Sequence, residues 1–143
     1  MNEINEFRGE YRWLSNFWSC DIVMDGIHYP STEHAYQAAK THDIDDKVYI
    51  ANLKKFGDAR RYGQTVKIHP EFDHDKIQIM KDALTQKFAV PELRLKLKET
   101  GDKILIEGNT WHDNFWGTCF CEKCGNKGKN ILGKLLMEIR NGI

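Results

Sequence analysis

Two groups of residues in this 143-residue chain have the types and spacing to do chemistry. Glu33, Gln37 and Lys40 are four and three positions apart, so a helix through them carries a carboxylate, an amide and an amine on one face. A carboxylate there can move a proton, and a desolvated amine can attack carbon. The plain alternative is that Glu33 complements a helix N-terminus and Lys40 is a solvated cation at its end. The second group lies in Glu107–Gly133, EGNTWHDNFWGTCFCEKCGNKGKNILG. Trp111 and Trp116 offer flat platforms on either side of Asp113, which suits a heterocycle held by stacking beside an acid. Trp116 reads equally well as a core plug. His112 is either an exposed loop imidazole or a proton carrier. Cys119, Cys121 and Cys124 make C-x-C-x-x-C, one ligand short of a four-ligand structural zinc site. His112 or Cys20 is the candidate fourth ligand, and free thiols are the alternative.

These groups need elements to hold them. Cys20, Ile22 and Met24 alternate with Asp21, Val23 and Asp25, which predicts a strand ending at an Asp25-Gly26 turn and a hairpin return through Ile27–Tyr29. Ser31 then caps a helix that carries Glu33 in its first turn and runs to about Thr41. Asp45–Phe56 reads as a second helix with Val48, Leu53 and Phe56 inward and Gly57 closing it, followed by a helical turn over Asp58–Tyr62. His69-Pro70 breaks the chain. Ile77, Met80, Leu84 and Phe88 are at helical spacing over Phe72–Phe88. Pro91 opens another helix to about Lys98, with Leu93 and Leu97 on one face. Ile104–Ile106 is a short strand, and Asn130–Arg140 is an amphipathic helix carrying Ile131, Leu135, Leu136 and Ile139. The expectation is a single domain over residues 1–143, mainly α with minor β.

Bulk composition bounds the function. Lys plus Arg and Asp plus Glu both total 21, so net charge is zero and a broad electrostatic nucleic-acid surface is disfavoured. The opening MNEINEFRGEYRW is too polar for a secretory leader, and no apolar run approaches bilayer length. The expected setting is a reducing cytoplasm, where three cysteines within six residues suit a metal or free thiols better than disulfides. The aromatics of the 107–133 segment argue for an ordered site in place of a linker. No Walker loop or GxGxxG is present. Gly125-x-x-Gly128-Lys129-Asn130 leads into a helix whose first amides can hold a phosphate.

Taken in order, these segments resemble the NADAR family, also called YbiA-like. The matching pieces are Leu14-Ser15-Asn16-Phe17, Tyr29-Pro30-Ser31-Thr32-Glu33-His34 with Gln37 and Lys40, and Thr100-Gly101-Asp102 with Leu105 to Glu107. They continue through Asp113 with Trp116-Gly117, Gly128-Lys129-Asn130, Leu132-Gly133 and Leu136-Met137-Glu138-Ile139-Arg140. The resemblance spans nearly the whole chain, and the cysteine segment between Gly117 and Gly128 departs from it. It implies a YbiA-like, mostly helical fold and an N-glycosidase that cuts the bond between C1 of a phosphorylated ribose and a nitrogen. Substrates implied are early riboflavin-pathway intermediates or ADP-ribosylated guanine, so nucleic acid would be a partner only where it carries ADP-ribose.

Such a reaction builds positive charge on the sugar and negative charge on the leaving nitrogen, so it asks for an anion and a proton donor. Glu33 and Asp113 are the candidates for these roles. Lys40 is the candidate for a Schiff base with the opened sugar, as against direct attack by water. Asn16 and Gln37 are the candidate partners for ribose hydroxyls, Trp111 or Trp116 would stack on the base, and Phe17 and Gly117 are further candidate substrate-binding residues. Arg8, Arg61 and the amides near Asn130 are phosphate candidates. No cofactor is required, and any zinc on the cysteines would be structural. The alternative function is a non-catalytic ADP-ribose or nucleotide-binding module; a third is a small cysteine-metal module docking nucleic acid.

Overall fold

The computed structural model describes residues 2–143. In chain order the elements are β1 (Glu3–Ile4), a 3₁₀ helix (Gly9–Leu14), β2 (Ser19–Met24), β3 (Ile27–Ser31), α1 (Thr32–Ala38), α2 (Ile44–Ala51), α3 (Phe56–Gly63) and α4 (Phe72–Lys87). They continue with α5 (Pro91–Glu99), β4 (Ile104–Leu105), β5 (Gly108–Asn109), β6 (Thr118–Cys119) and α6 (Ile131–Asn141). The fold is mainly helical with three two-stranded sheets among the described residues. The chain divides into two compact units, one made of the segment up to Ser15 with Phe88–Ile143, the other of Asn16–Lys87.

In the Asn16–Lys87 unit, β2 and β3 form the expected hairpin. Asp25 and Gly26 both take positive φ, 52° and 75°, as a two-residue turn matching strand twist requires. The Ser31 hydroxyl accepts from the His34 amide at 3.1 Å, capping α1. Every residue of α1 is buried, because β2, β3, α2, α3 and α4 all pack on it. The core is Ile22, Tyr29, Ala35, Ala38, Ile50, Ala59 and Ala83. Three alanines on or beside α1 and α3 let these helices approach closely.

Two helix readings need correction. The stretch read as one helix over Asp45–Phe56 is two elements: α2 stops at Ala51, and Phe56 begins α3 with Gly57 inside it. Val48 and Phe56 are exposed at 45% each, and it is Ile50 that is fully buried. Asn52 caps α2, its side-chain amide donating to the Val48 carbonyl at 2.9 Å, which ends the helix before Leu53. Phe56 instead stacks on Phe17, with ring centroids 4.1 Å apart. Likewise α1 ends at Ala38. The Lys40 amide bonds back to the Gln37 carbonyl at 3.2 Å, a three-residue step that tightens the chain out of the helix. Of the four residues at helical spacing over Phe72–Phe88, Met80, Leu84 and Phe88 are buried and Ile77 is 40% exposed.

In the other unit, β1 pairs in parallel with β4, and α6 packs on β4. Trp13, Phe88, Leu93, Leu97, Leu105, Leu132, Leu135 and Leu136 are buried there, with Trp13 and Phe88 edge-to-face at 6.2 Å. β5 and β6 pair in parallel and bracket the tryptophan loop. β1, β5, β6 and the 3₁₀ helix lie outside the expected elements: a two-residue strand carries no readable period, and the six-residue 3₁₀ segment has no side-chain cap to mark its start.

Candidate active site and thiolate cluster

Burying α1 on all sides forces its polar residues to find partners inside the protein. His34 does so structurally: one ring nitrogen lies 2.6 Å from Ser31 Oγ and the other 2.8 Å from the Leu53 carbonyl. Burial lowers its pKa from the ordinary imidazole value, opposed by the hydrogen bond to the Leu53 carbonyl. Glu33 and Gln37 are different. They are buried, and the Gln37 amide donates to the Glu33 carboxylate at 2.6 Å. The Gln37 carbonyl oxygen is buried without a hydrogen-bond partner. Gly63 of α3 makes room for this amide, because a Cβ there would fall 2.0 Å from Gln37 Oε1.

Asn16 is tied to the same turn, its carbonyl accepting from the Glu33 amide at 3.0 Å. Its side-chain amide nitrogen donates to the Met80 sulfur at 3.6 Å, and its side-chain oxygen Oδ1 is a second buried acceptor without a partner. Lys40 is half-buried with its ammonium 5.8 Å from the Tyr36 ring centroid. Burial lowers its pKa, opposed by the Glu33 carboxylate and reinforced by Arg60. The structure thus gathers Asn16, Phe17, Glu33, Gln37 and Lys40 in one unit, around the first and last turns of α1.

Arg61 turns away from this group: its guanidinium pairs with Asp58 at 2.9 Å on the exposed face of α3. It lines a surface depression with Tyr49, Leu53, Tyr62 and Thr65. The neighbouring Arg60 is the arginine whose charge Lys40 feels, a residue that sequence reasoning passed over. An Arg-Arg pair on a helix points two ways about 100° apart, and only the packing of α3 on α1 selects one.

The remaining candidates lie in the other unit. Asp113 Oδ1 accepts from the amides of Phe115 and Trp116 at 3.2 and 2.9 Å, a side-chain-closed turn. Asn109 grips Asp113 from both sides, donating to its carbonyl at 2.9 Å and accepting from its amide at 3.1 Å. Trp116 is half-buried, edge-to-face with Phe115. Trp111 is 46% exposed, and the exposed Arg8 guanidinium lies 5.5 Å from its ring centroid. Gly117 is where the Glu107 backbone passes, and a Cβ there would fall 2.1 Å from the Glu107 carbonyl. Asn130 takes a left-handed conformation and joins α6 to the strand, accepting from the Glu107 amide at 3.0 Å and donating to the Leu105 carbonyl at 2.9 Å.

The ligand atoms of Cys119, Cys121, Cys124 and His112 all lie within 4.8 Å of one another. Cys20, the other candidate fourth ligand, belongs to the Asn16–Lys87 unit, where burial raises its pKa against the nearby Lys87 charge. Among the described residues, no helix is long and apolar enough to cross a membrane.

Comparison with known proteins gives a consistent family. The N-glycosidase YbiA of Escherichia coli strain K12 is 35% identical over 134 residues, covering 92% of this chain and 81% of that protein. The N-glycosidase Npun_R5314 of Nostoc punctiforme is 34% identical over 139 residues, covering 93% and 86%. A Vibrio vulnificus protein named riboflavin biosynthesis protein VVA0006 is 34% identical over 90% of this chain, which spans 34% of its length. The NMR structure of E. coli YbiA superposes with a TM-score of 0.81 at 33% identity, covering 98% of this chain and 82% of that one. A family profile for the NADAR domain matches residues 4–143, across both units, and the chain belongs to that family.

Proposed function

We infer that this chain is an N-glycosidase, a hydrolase of N-glycosyl bonds, and propose that its substrate joins a nitrogenous base to a phosphorylated ribose, as ribose 5-phosphate or ADP-ribose. The observation that carries the reading is the buried Glu33–Gln37 pair beside a half-buried lysine, in a chain about one-third identical to proteins named N-glycosidase. Burying a carboxylate, an amide and an amine around one short helix costs desolvation at each, and that is the environment in which proton transfer and amine attack are tuned. The riboflavin-biosynthesis names among the relatives support a ribosylated aminopyrimidine as the first substrate to try.

In the proposed reaction, Glu33 moves the proton and Lys40 supplies the nucleophile. Ring opening of the N-glycoside leaves C1 doubly bonded to the base nitrogen. The neutral Lys40 amine adds to C1, and the C1–base bond breaks as the base nitrogen takes a proton through Glu33. Water then adds to the C1–Lys40 imine and releases the amine and the open-chain sugar phosphate. Burial favours this route by raising the share of neutral amine. The unpartnered carbonyl oxygens of Asn16 and Gln37 accept from ribose hydroxyls.

The test is incubation with a ribosylaminopyrimidine phosphate and with ADP-ribosylated guanine, following free base and sugar phosphate. Release of both products from at least one substrate is expected. Tight binding with no release would replace the enzyme by a nucleotide-binding module.

A further inference from the structure

We propose that His112, Cys119, Cys121 and Cys124 form a structural zinc site that braces the loop between β5 and α6. This assignment stands apart from the glycosidase reading and rests on geometry. The His112 Nδ1 atom lies 3.2 Å from Cys124 Sγ, 3.5 Å from Cys121 Sγ and 3.9 Å from Cys119 Sγ. A tetrahedral centre with Zn–S near 2.3 Å and Zn–N near 2.0–2.1 Å sets its nitrogen-to-sulfur edges at about 3.6 Å. The three observed distances straddle that value. Three thiols and an imidazole directed at one point from a 13-residue stretch are the donor set of a closed structural site, with no position left for a substrate.

The backbone around the four residues is shaped to deliver them. His112 adopts φ of 70°, a conformation that a residue with a side chain rarely takes, and this turns its ring toward the thiols. Cys119 stands on β6, fully buried, and its amide bonds to the Lys127 carbonyl at 2.9 Å, so the excursion from 120 to 126 returns to its starting point. Within that excursion Gly125 and Asn126 take positive φ, 62° and 64°, reversing the chain directly after Cys124. The Cys124 amide points at Cys121 Sγ at 3.3 Å, and the Asn114 side-chain amide at Cys124 Sγ at 3.7 Å. Such N–H donors offset the charge of metal-bound thiolates.

Binding is simple proton exchange. Zn²⁺ takes up three thiolates and one neutral imidazole, three protons leave, and nothing is oxidised or reduced. The benefit falls on a segment with little regular structure of its own, which ends at the Asp113 turn and the start of α6. A second grouping, His42, His69 and Glu71, is less suited: His69 Nε2 already faces the Ala39 carbonyl at 3.1 Å, and the set holds no thiol.

The full chain, purified under reducing conditions, is expected to carry about one zinc per chain by elemental analysis after desalting. Replacing zinc by cobalt(II) is expected to give the visible absorption of a tetrahedral site and the near-ultraviolet bands of sulfur ligation. Zinc should shield three of the four cysteines from a thiol reagent until a chelator is added. His112→Ala should weaken zinc affinity at least about tenfold, and His112→Cys, which restores a fourth soft ligand, should recover it. Paired substitution of Cys121 and Cys124 by Ser should abolish binding. The proposal is overturned if wild-type protein given excess zinc retains none and the thiol reactivity of Cys119, Cys121 and Cys124 is the same with and without a chelator. It is equally overturned if the metal persists in the cysteine variants, which would move it to the His42, His69 and Glu71 group.

Discussion

The side-chain amide of Gln37 donates to the carboxylate of Glu33 across 2.6 Å, one turn along a helix that is buried on every side. Gln37 thereby orients the carboxylate and leaves its own carbonyl oxygen as an open acceptor. The arrangement separates the duties of the two residues, and each can be removed alone.

Glu33→Gln keeps shape and hydrogen-bonding length while removing the proton carrier. Turnover is expected to fall about 10²- to 10⁴-fold, with the thermal midpoint nearly unchanged. Initial rates of sugar phosphate release, alongside a melting curve, check this. Full activity in the variant would take Glu33 out of the reaction.

Lys40→Arg keeps the positive charge but supplies no nucleophile. Borohydride added during turnover is expected to trap the sugar phosphate on the wild-type chain, seen as a mass increase mapped to Lys40, and to trap none on the variant. An untrapped but active wild type would assign the reaction to direct attack by water.

Gly63→Ala places a methyl group against Gln37 Oε1, and the Gln37 Cδ and Cβ atoms leave it little room, at 2.8 and 3.0 Å. A stability loss of about 1–3 kcal/mol is expected, together with a rate loss as Gln37 is pushed off Glu33. Chemical denaturation and kinetics on one preparation measure both. A neutral effect on each would mean Gln37 is free to move aside.

Asp113→Asn preserves an oxygen for the Phe115 and Trp116 amides and removes the charge. Stability should hold, whereas Asp113→Ala, which abandons both amides, should cost about 1 kcal/mol. Chemical denaturation of both variants checks this, and an Asn variant as unstable as the Ala variant would show that the turn needs the carboxylate charge and not an oxygen alone.

Lys87 has no exposed surface, and burial brings its pKa down to about 7, opposed by Cys20. In the unfolded chain the same amine stays protonated to about 10.4. Between pH 7 and about 8.5, below the titration of the Cys20 thiol, the unfolded chain therefore binds more protons than the folded one. Stability should rise with pH in that window, and below it the penalty of charging a buried amine is present in full. Lys87→Met is expected to melt higher at pH 6 and to show a flatter profile from pH 7 to 8.5. Parallel profiles for the two proteins would show that Lys87 stays charged in the fold.

Reading residues in order was enough for the hairpin, the Ser31 cap, α4, α5 and α6, because a period-2 alternation, a capping hydroxyl and a helical apolar stripe act over a few neighbours. The same local logic put Glu33 and Gln37 a turn apart and grouped three thiols within six residues. It joined α2 to α3, since Val48, Leu53 and Phe56 keep helical spacing across a break that Asn52 makes by capping, and it put Phe56 inward although its ring lies on Phe17. Other features were settled by packing between segments distant in sequence. The burial of α1 by five neighbouring elements turns a carboxylate, an amide and a lysine from surface groups into a desolvated cluster. The packing of α3 makes Arg60 the arginine that Lys40 feels, and the fold of the late loop makes His112 the fourth donor beside the thiols. Desolvation and convergence depend on what lies across space from a side chain, and no spacing along the chain encodes that directly.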